Sequence, residues 1–354
     1  MSAKIYTLGE LFCGPGGIAY GATKLANVNG AQIVHAWATD YDPDTCETYR
    51  NNICPENRDS VICQDIHTLS FRNLQKVNAL AFGFPCNDFS VVGKHKGLKG
   101  EYGPLYTYCA EVLEEFHPDW FFAENVGGIR SSNNRETFRL ILETFKKKGY
   151  RIYPHYYHFE EYGVPQTRHR VIIVGIKEEL NFEFHVPAPT TLGNQKNCKE
   201  ALTIPPITEN VLNNERFHNS KTVMQRLEYM KPGENAFTAD LPDSLKLHVK
   251  GAKLSNIYKK LDPNQPSYTV TGSGGGGTYM YHWKEPRALT NRERARLQTF
   301  PDSFVFSGNM QQVRRQIGMA VPPLGAQIIA EAILKTFLGV PYDWVPCNLK
   351  VSSI

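Results

Sequence analysis

The stretch Asn78-Ala-Leu-Ala-Phe-Gly-Phe-Pro-Cys-Asn-Asp-Phe-Ser90 decides the fold. Its first part, ending at Phe82, is a short apolar run, the mark of a strand covered on both faces in a parallel sheet. Gly83–Ser90 then forms the loop at that strand's carboxyl end, where open α/β sheets bind their ligands. Pro85 fixes its own φ and drives Phe84 toward an extended conformation, so Cys86 is presented in one direction. A thiol held this stiffly is a candidate nucleophile; the alternative is that Cys86 is one more small buried hydrophobe.

Upstream of this loop the chain repeats the same unit. Lys4–Phe12 is a strand, Cys13-Gly-Pro-Gly-Gly17 a glycine turn, and Ile18–Leu25 a helix, the order that builds an anion or nucleotide site. A second strand, Ile33–Thr39, ends at Asp40, Tyr41 and Asp42, and a third, Ser60–Cys63, at Gln64, Asp65 and Ile66. Acids at the ends of successive strands can each meet part of one nucleoside. Downstream come a lysine- and glycine-rich loop, Gly93–Gly103, a helix over Leu105–Glu115, and a strand, Asp119–Ala123, that delivers Glu124 to the same edge as Cys86. Helix Arg135–Lys148 and the strands Arg151–Phe159 and Arg170–Gly175 complete residues 1–180.

The chain has 354 residues, enough for two domains, with 41% hydrophobic and 21% charged residues, the balance of an ordinary globular protein. No run approaches the roughly 18 apolar residues of a membrane span, and MSAKIYTLGE has no basic segment followed by an apolar one, so neither anchor nor secretory leader is expected. The cysteines at 13, 46, 54, 63, 86, 109, 198 and 347 include no pair at zinc-site spacing, so free thiols and no metal are expected. A net charge of +4 neither demands nor excludes a nucleic-acid partner. Its distribution is more informative. Lys246, Lys250, Lys253, Lys259 and Lys260 occur without an acid among them, and Arg287–Arg315 carries six arginines against Glu293 and Asp302, a pattern that fits a phosphate footprint or a solvated surface.

Six segments taken together, ELFCGPGG, GFPCNDFS, AENV (Ala123–Val126), QTRHR (Gln166–Arg170), LTNRERARLQTFP (Leu289–Pro301) and GMAVP (Gly318–Pro322), resemble in order and spacing the motifs of DNA cytosine-5 methyltransferases. The resemblance spans nearly the whole chain. It implies a doubly wound, Rossmann-like, mostly parallel sheet of the class I methyltransferase kind, formed by residues 1–180 and completed by about 303–354, with a smaller target-recognition domain over 181–302. It implies S-adenosyl-L-methionine as cofactor, with Phe12, Gly14, Gly16, Gly17, Asp40, Tyr41, Asp65, Ile66, Pro85 and Leu105 around it. Cys86 falls on the nucleophile, Glu124 on the base-binding acid, and Arg168 and Arg170 on the motif that orients the target cytosine. Ser90, Gln166, Thr271, Gly274, Gly275, Lys253 and Lys259 are the expected DNA contacts, the glycines lying in Ser267–Tyr281, a β-like run broken by four consecutive glycines.

The implied partner is double-stranded DNA, with a cognate restriction endonuclease acting on the same site without a stable complex; a cytoplasmic monomer, bacterial or phage-encoded and working on the nucleoid, is expected. An RNA (tRNA) cytosine-5 methyltransferase and a non-catalytic DNA-binding relative remain as alternatives, whereas a nicotinamide dehydrogenase would leave Cys86 and QTRHR without a task. Departures from the family pattern are Asp40 where Glu is commoner, Asn87 where Gln is usual, Met319 where Asn is usual, and the atypical loop Gly97–Tyr106.

Overall fold

A computed structural model of the protein describes residues 4–84, 105–131, 135–248, 255–273 and 276–349. The alternation read from the sequence becomes a seven-stranded sheet in the order β3-β2-β1-β4-β5-β7-β6. Its strands are β1 (Ile5–Leu11), β2 (Gln32–Asp40), β3 (Val61–Cys63), β4 (Ala79–Phe82), β5 (Trp120–Val126), β6 (Tyr150–His158) and β7 (His169–Lys177). The first five run parallel, and β7 enters antiparallel between β5 and β6. Strand order reverses between β1 and β4, which makes their carboxyl ends the switch point of the sheet.

The apolar run that predicted β4 is buried at all four of its residues. Phe82 there stacks on Phe121 of β5, with ring centroids 5.5 Å apart, and meets Phe145 edge-on. Phe145 belongs to α4 (Arg135–Lys147), which with α3 (Leu105–Phe116) supplies much of this core. The glycine turn leads into α1 (Gly17–Tyr20) and a single π turn over Gly21–Leu25. One helix, α2 (Pro43–Ile53), lies where the sequence reading assigned none. Its signals were present: Asp42 caps it by accepting from Thr45 N at 2.9 Å, and Pro43 sits in the first turn.

The chain divides into two compact units, one of Met1–Phe159, His169–Thr190 and Val321–Ile354, the other of Glu160–Arg168 and Thr191–Ala320. After β8 (Val186–Pro187) the second unit has little regular structure: α5 (Cys198–Thr203), α6 (Lys221–Tyr229), α7 (Asn291–Leu297) and α8 (Met310–Met319). The β-like run Ser267–Tyr281 forms no strand among its described residues. Its backbone bonds in pieces to different partners: Ser267 N to Pro165 O, Val270 N to Gln166 Oε1 and Tyr281 N to Lys259 O. A run whose polar groups are satisfied this way has no ladder left to join.

The first unit is completed by α9 (Pro323–Leu338) and by β9 (Trp344–Val345), which pairs with β8. Gly17 and Gly21 make room for the segment that leads into α9 and for its first turn. A Cβ on Gly17 would lie 2.2 Å from Val321 O, and one on Gly21 2.3 Å from Pro323 O. One helical stretch among the described residues, Met310–Leu338, is long and apolar enough to cross a membrane, and its apolar window is 72% buried within the protein.

Glu10 on β1 is buried beneath the glycine turn, where Tyr49 Oη donates to its Oε2 at 3.0 Å. Burial raises its pKa from 4.5 to about 8, with Tyr49 pulling it down and Asp40 pushing it up. The folded protein therefore keeps a proton that the unfolded chain releases, and stability falls as pH rises from about 4.5 to 8. His35 and His155, lowered by burial to about 4, act in the opposite sense below about 6.5. Between pH 6.5 and 8 Glu10 acts unopposed by them. Unfolding free energy measured by denaturant titration should drop there by up to ~1.4 kcal/mol per pH unit, and Glu10→Gln should flatten the profile. An equal slope in the variant would remove Glu10 as the cause.

Candidate active site and nucleic-acid interface

The site is built at the carboxyl ends of β1, β2, β3, β4 and β5. At the end of β1, Phe12, Gly14 and Gly16 all have positive φ (52°, 54° and 92°), so the turn folds back over the strand end. Asp40 holds it there: its Oδ2 accepts from Gly14 N at 3.0 Å and its Oδ1 from Asp42 N at 3.1 Å. Burial raises the Asp40 pKa, and those two N–H groups draw it back.

Of the turn glycines only Gly14 faces open space, with nothing within 4 Å of where a Cβ would stand. Gly16 packs against Tyr49 and Ile53, and Gly17 against Val321, so at these two positions close packing also requires the lack of a side chain. Phe12 is half-buried against the core; Ile66 and Leu105 are buried within it. Tyr41 is 55% exposed. Asp65 is exposed, its Oδ1 accepting from the backbone N and Nδ1 of His67, which lowers its pKa.

An open glycine backbone, an exposed aromatic ring and two carboxylates with acceptor capacity to spare fit a nucleoside-bearing cofactor such as S-adenosylmethionine.

The second half of the site lies between β4 and β5. Glu124 sits on β5 opposite Ile172, and its Oε2 lies so near Gly83 that a Cβ there would come within 3.3 Å. Gly83 leaves β4 three positions before Cys86 in the sequence. Across the antiparallel junction, Arg170 Nε is 2.9 Å from Glu124 Oε1, with only 14% and 12% of the two side chains exposed. Burial lowers the Arg170 pKa, while Glu124 and Tyr156 raise it again. Tyr156 was not foreseen. It stands on β6 with the Arg130 guanidinium 3.3 Å above its ring, a placement that only the β6–β7 register reveals.

Several expected contacts turn out to be internal struts. Arg168 is wholly buried, and its guanidinium donates to Val270 O, Gly318 O and Ala320 O at 3.1, 3.1 and 2.8 Å, which gives it a structural task. Gln166 is likewise buried, donating to Leu297 O and Gln298 Oε1 and accepting from Val270 N. Lys260 donates to Leu227 O and Met230 O at the end of α6. Lys259 lies 5.3 Å from the centroid of Tyr268, and Thr271 is exposed.

Of the arginines, Arg287 pairs with Glu293 and Glu285, Arg292 donates to Leu212, Pro301 and Phe304 carbonyls, and Arg296 pairs with Asp302. Met319 ends α8 half-exposed. Pro85, Cys86, Ser90, Lys253, Gly274 and Gly275 lie outside the described residues.

A sheet of this order with a glycine turn and strand-end acids is the frame of a class I methyltransferase. A family model described as C-5 cytosine-specific DNA methylase matches residues 6–335. The type II methyltransferase M.BbvI of Brevibacillus brevis is 52% identical over 98% of this chain and 95% of its own length. M.NgoFVII of Neisseria gonorrhoeae is 40% identical over 93% and 86%. Among solved structures, a prophage-encoded protein of E. coli described as a DNA modification methyltransferase superposes with a TM-score of 0.72 at 21% identity, covering 94% of this chain and 99% of that one. The chain belongs to the C-5 cytosine-specific DNA methylase family. It is a DNA (cytosine-5-)-methyltransferase of the restriction–modification type.

Because three buried carbonyls depend on one guanidinium, Arg168→Met should lower the unfolding free energy by about 3 kcal/mol or more. A loss below about 1 kcal/mol in a denaturant titration would contradict the strut assignment.

Proposed function

We propose that this chain methylates carbon 5 of a cytosine flipped out of a short, fixed duplex DNA sequence, through a covalent adduct between Cys86 and carbon 6. What supports this reading is the Glu124–Arg170 pair set against Gly83, at the start of the loop that leads to Cys86. Phe12, Gly14, Asp40, Tyr41 and Asp65 are the residues we assign to the cofactor. When bound, S-adenosylmethionine supplies an electrophilic methyl group on a sulfonium and leaves as S-adenosylhomocysteine.

Carbon 5 of cytosine is a poor nucleophile until electron density is pushed onto it. The Cys86 thiolate supplies that density by bonding to carbon 6, which opens the ring's carbon 5–carbon 6 double bond. The charge that reaches ring nitrogen 3 is met by a proton from Glu124, and Arg170 steadies both that carboxyl and the ring oxygen. After methylation, a base or water takes the carbon 5 proton, and as the carbon 5–carbon 6 double bond re-forms the thiolate is expelled and the proton on ring nitrogen 3 returns to Glu124. None of these groups can reach a base inside a duplex, so the nucleotide must leave the stack, at roughly a few kcal/mol. In the cell we assign it a cytoplasmic role as a monomer on chromosomal or phage DNA, sharing its site with an endonuclease.

Tritiated methyl transfer to duplex DNA should be lost in Cys86→Ser, because a hydroxyl near neutral pH is almost wholly protonated. The wild type should form a stable adduct with DNA carrying 5-fluorocytosine, where fluorine cannot leave as a cation. A fully active serine variant, or methyl groups found on the exocyclic amine by sequencing and mass analysis, would sink the covalent route.

A further inference from the structure

The second unit contains a pair of guanidinium groups for which the established activity has given no account. Arg294 of α7 and Arg314 of α8 are 3% and 7% exposed. Their neighbours on the same helices have found partners: Glu293 is taken by Arg287, Asp302 by Arg296, and Arg292 is closed by carbonyls.

Arg294 donates from Nη2 to Thr271 O, while its Nε is buried without a hydrogen-bond partner among the described residues. Arg314 is barer. Its Nε and Nη1 are buried with no partner among those residues, and its guanidinium carbon lies 4.8 Å from the centroid of the Tyr279 ring. No carboxylate among the described residues is paired with Arg294. Its pKa is lowered to about 10, first by burial and then by Arg314, while Tyr268 and Tyr279 oppose this.

Two neighbouring like charges, buried with no acid beside them among the described residues, are costly to hold, and a protein gains nothing in its own stability by keeping them. An anion would offset the cost. Resting on the reading of this unit as the one that binds DNA, we infer that Arg314, with Arg294 beside it, seats one phosphate of the DNA backbone. A phosphate suits the pair better than a guanine edge, because a neutral base leaves both charges uncompensated, whereas phosphate brings a charge and a fork of acceptor oxygens.

The site lies beside the expected recognition loop. Arg294 grips Thr271 O, and the backbone of Thr271 and Gly272 lies so close to α8 that a Cβ on Gly318 would fall 1.9 Å from Gly272 N. A phosphate seated on Arg314 therefore fixes the register of the loop that follows, as backbone contacts do when they position a reader of bases.

The test uses the full chain with S-adenosylhomocysteine and two labelled duplexes. One carries the methylated site mapped by conversion sequencing; the other holds only A·T pairs. Affinity is read by anisotropy over a series of salt concentrations. Arg314→Met should weaken both duplexes by the same factor and make the slope of log affinity on log salt shallower by about 0.9. Arg314→Lys should keep the wild-type slope. Free Arg314→Met should unfold at or above the wild-type temperature, since an uncompensated charge has been removed; a lowered temperature would make Arg314 a structural residue and overturn the assignment. A loss confined to the site-bearing duplex would move Arg314 to a base edge and overturn it too, as would unchanged affinity and slope. If the wild type itself showed no salt dependence on either duplex, the reading of the unit as DNA-binding would fail, a result distinct from a failure of Arg314 alone.

Discussion

The first unit turns on the ion pair between Glu124 and Arg170. Both side chains lie at the end of a sheet with little solvent, where either charge alone would be expensive and the pair is tolerable only at close range. That range requires β7 to run antiparallel against β5, so that Val126 faces Arg170 and Glu124 faces Ile172. A purely parallel sheet of the same residues would bring a different end of β7 to the site. The antiparallel strand is thus a requirement of the ion pair as well as a topological detail. It lets one continuous segment, Gln166 to Arg170, close the interior of the second unit with its first half and deliver a guanidinium to the first unit with its last residue.

The glycine turn obeys a second constraint. Its residues must bend back at positive φ, must let α9 approach, and must leave one stretch of backbone open. Gly17, with Gly21 just after the turn, admits the carbonyls of Val321 and Pro323; Gly16 bends at positive φ and clears Tyr49 and Ile53; and Gly14, also at positive φ, alone meets open space. Asp40 ties the turn down through Gly14 N, and Glu10 of β1 is buried against the Tyr49 hydroxyl. Asp in place of the commoner Glu is consistent with this, since the shorter carboxylate reaches the turn's own N–H.

Much of the first unit was legible because parallel strands and amphipathic helices leave periodic traces. β4 and α4 were readable to within a residue or two. What was missed was missed for physical reasons. A strand ladder and an extended segment bonded piecemeal share a composition, so Ser267–Tyr281 read as β-like although Gln166 and Lys259 take its backbone groups. Likewise a basic side chain that clamps carbonyls is indistinguishable in sequence from one that meets phosphate. Gln166, Arg168, Lys260 and Arg292 were all plausible surface groups, and all are interior struts.

The struts change how the basic character of the second unit should be read. Counting lysines and arginines between 246 and 315 overstates the charge offered to DNA, because several of those cations are neutralised or closed by the protein itself. Arg287 and Arg296 spend theirs on Glu285, Glu293 and Asp302; Lys260 and Arg292 spend theirs on carbonyls. The cations that matter for a polyanion are those whose hydrogen-bonding capacity the fold leaves unmet, and burial sharpens this test, since solvent cannot satisfy the remainder. By that criterion a unit with a modest net charge can still grip a backbone phosphate firmly, because a guanidinium kept dry and unneutralised interacts with an arriving anion at a lower effective dielectric than any lysine in water.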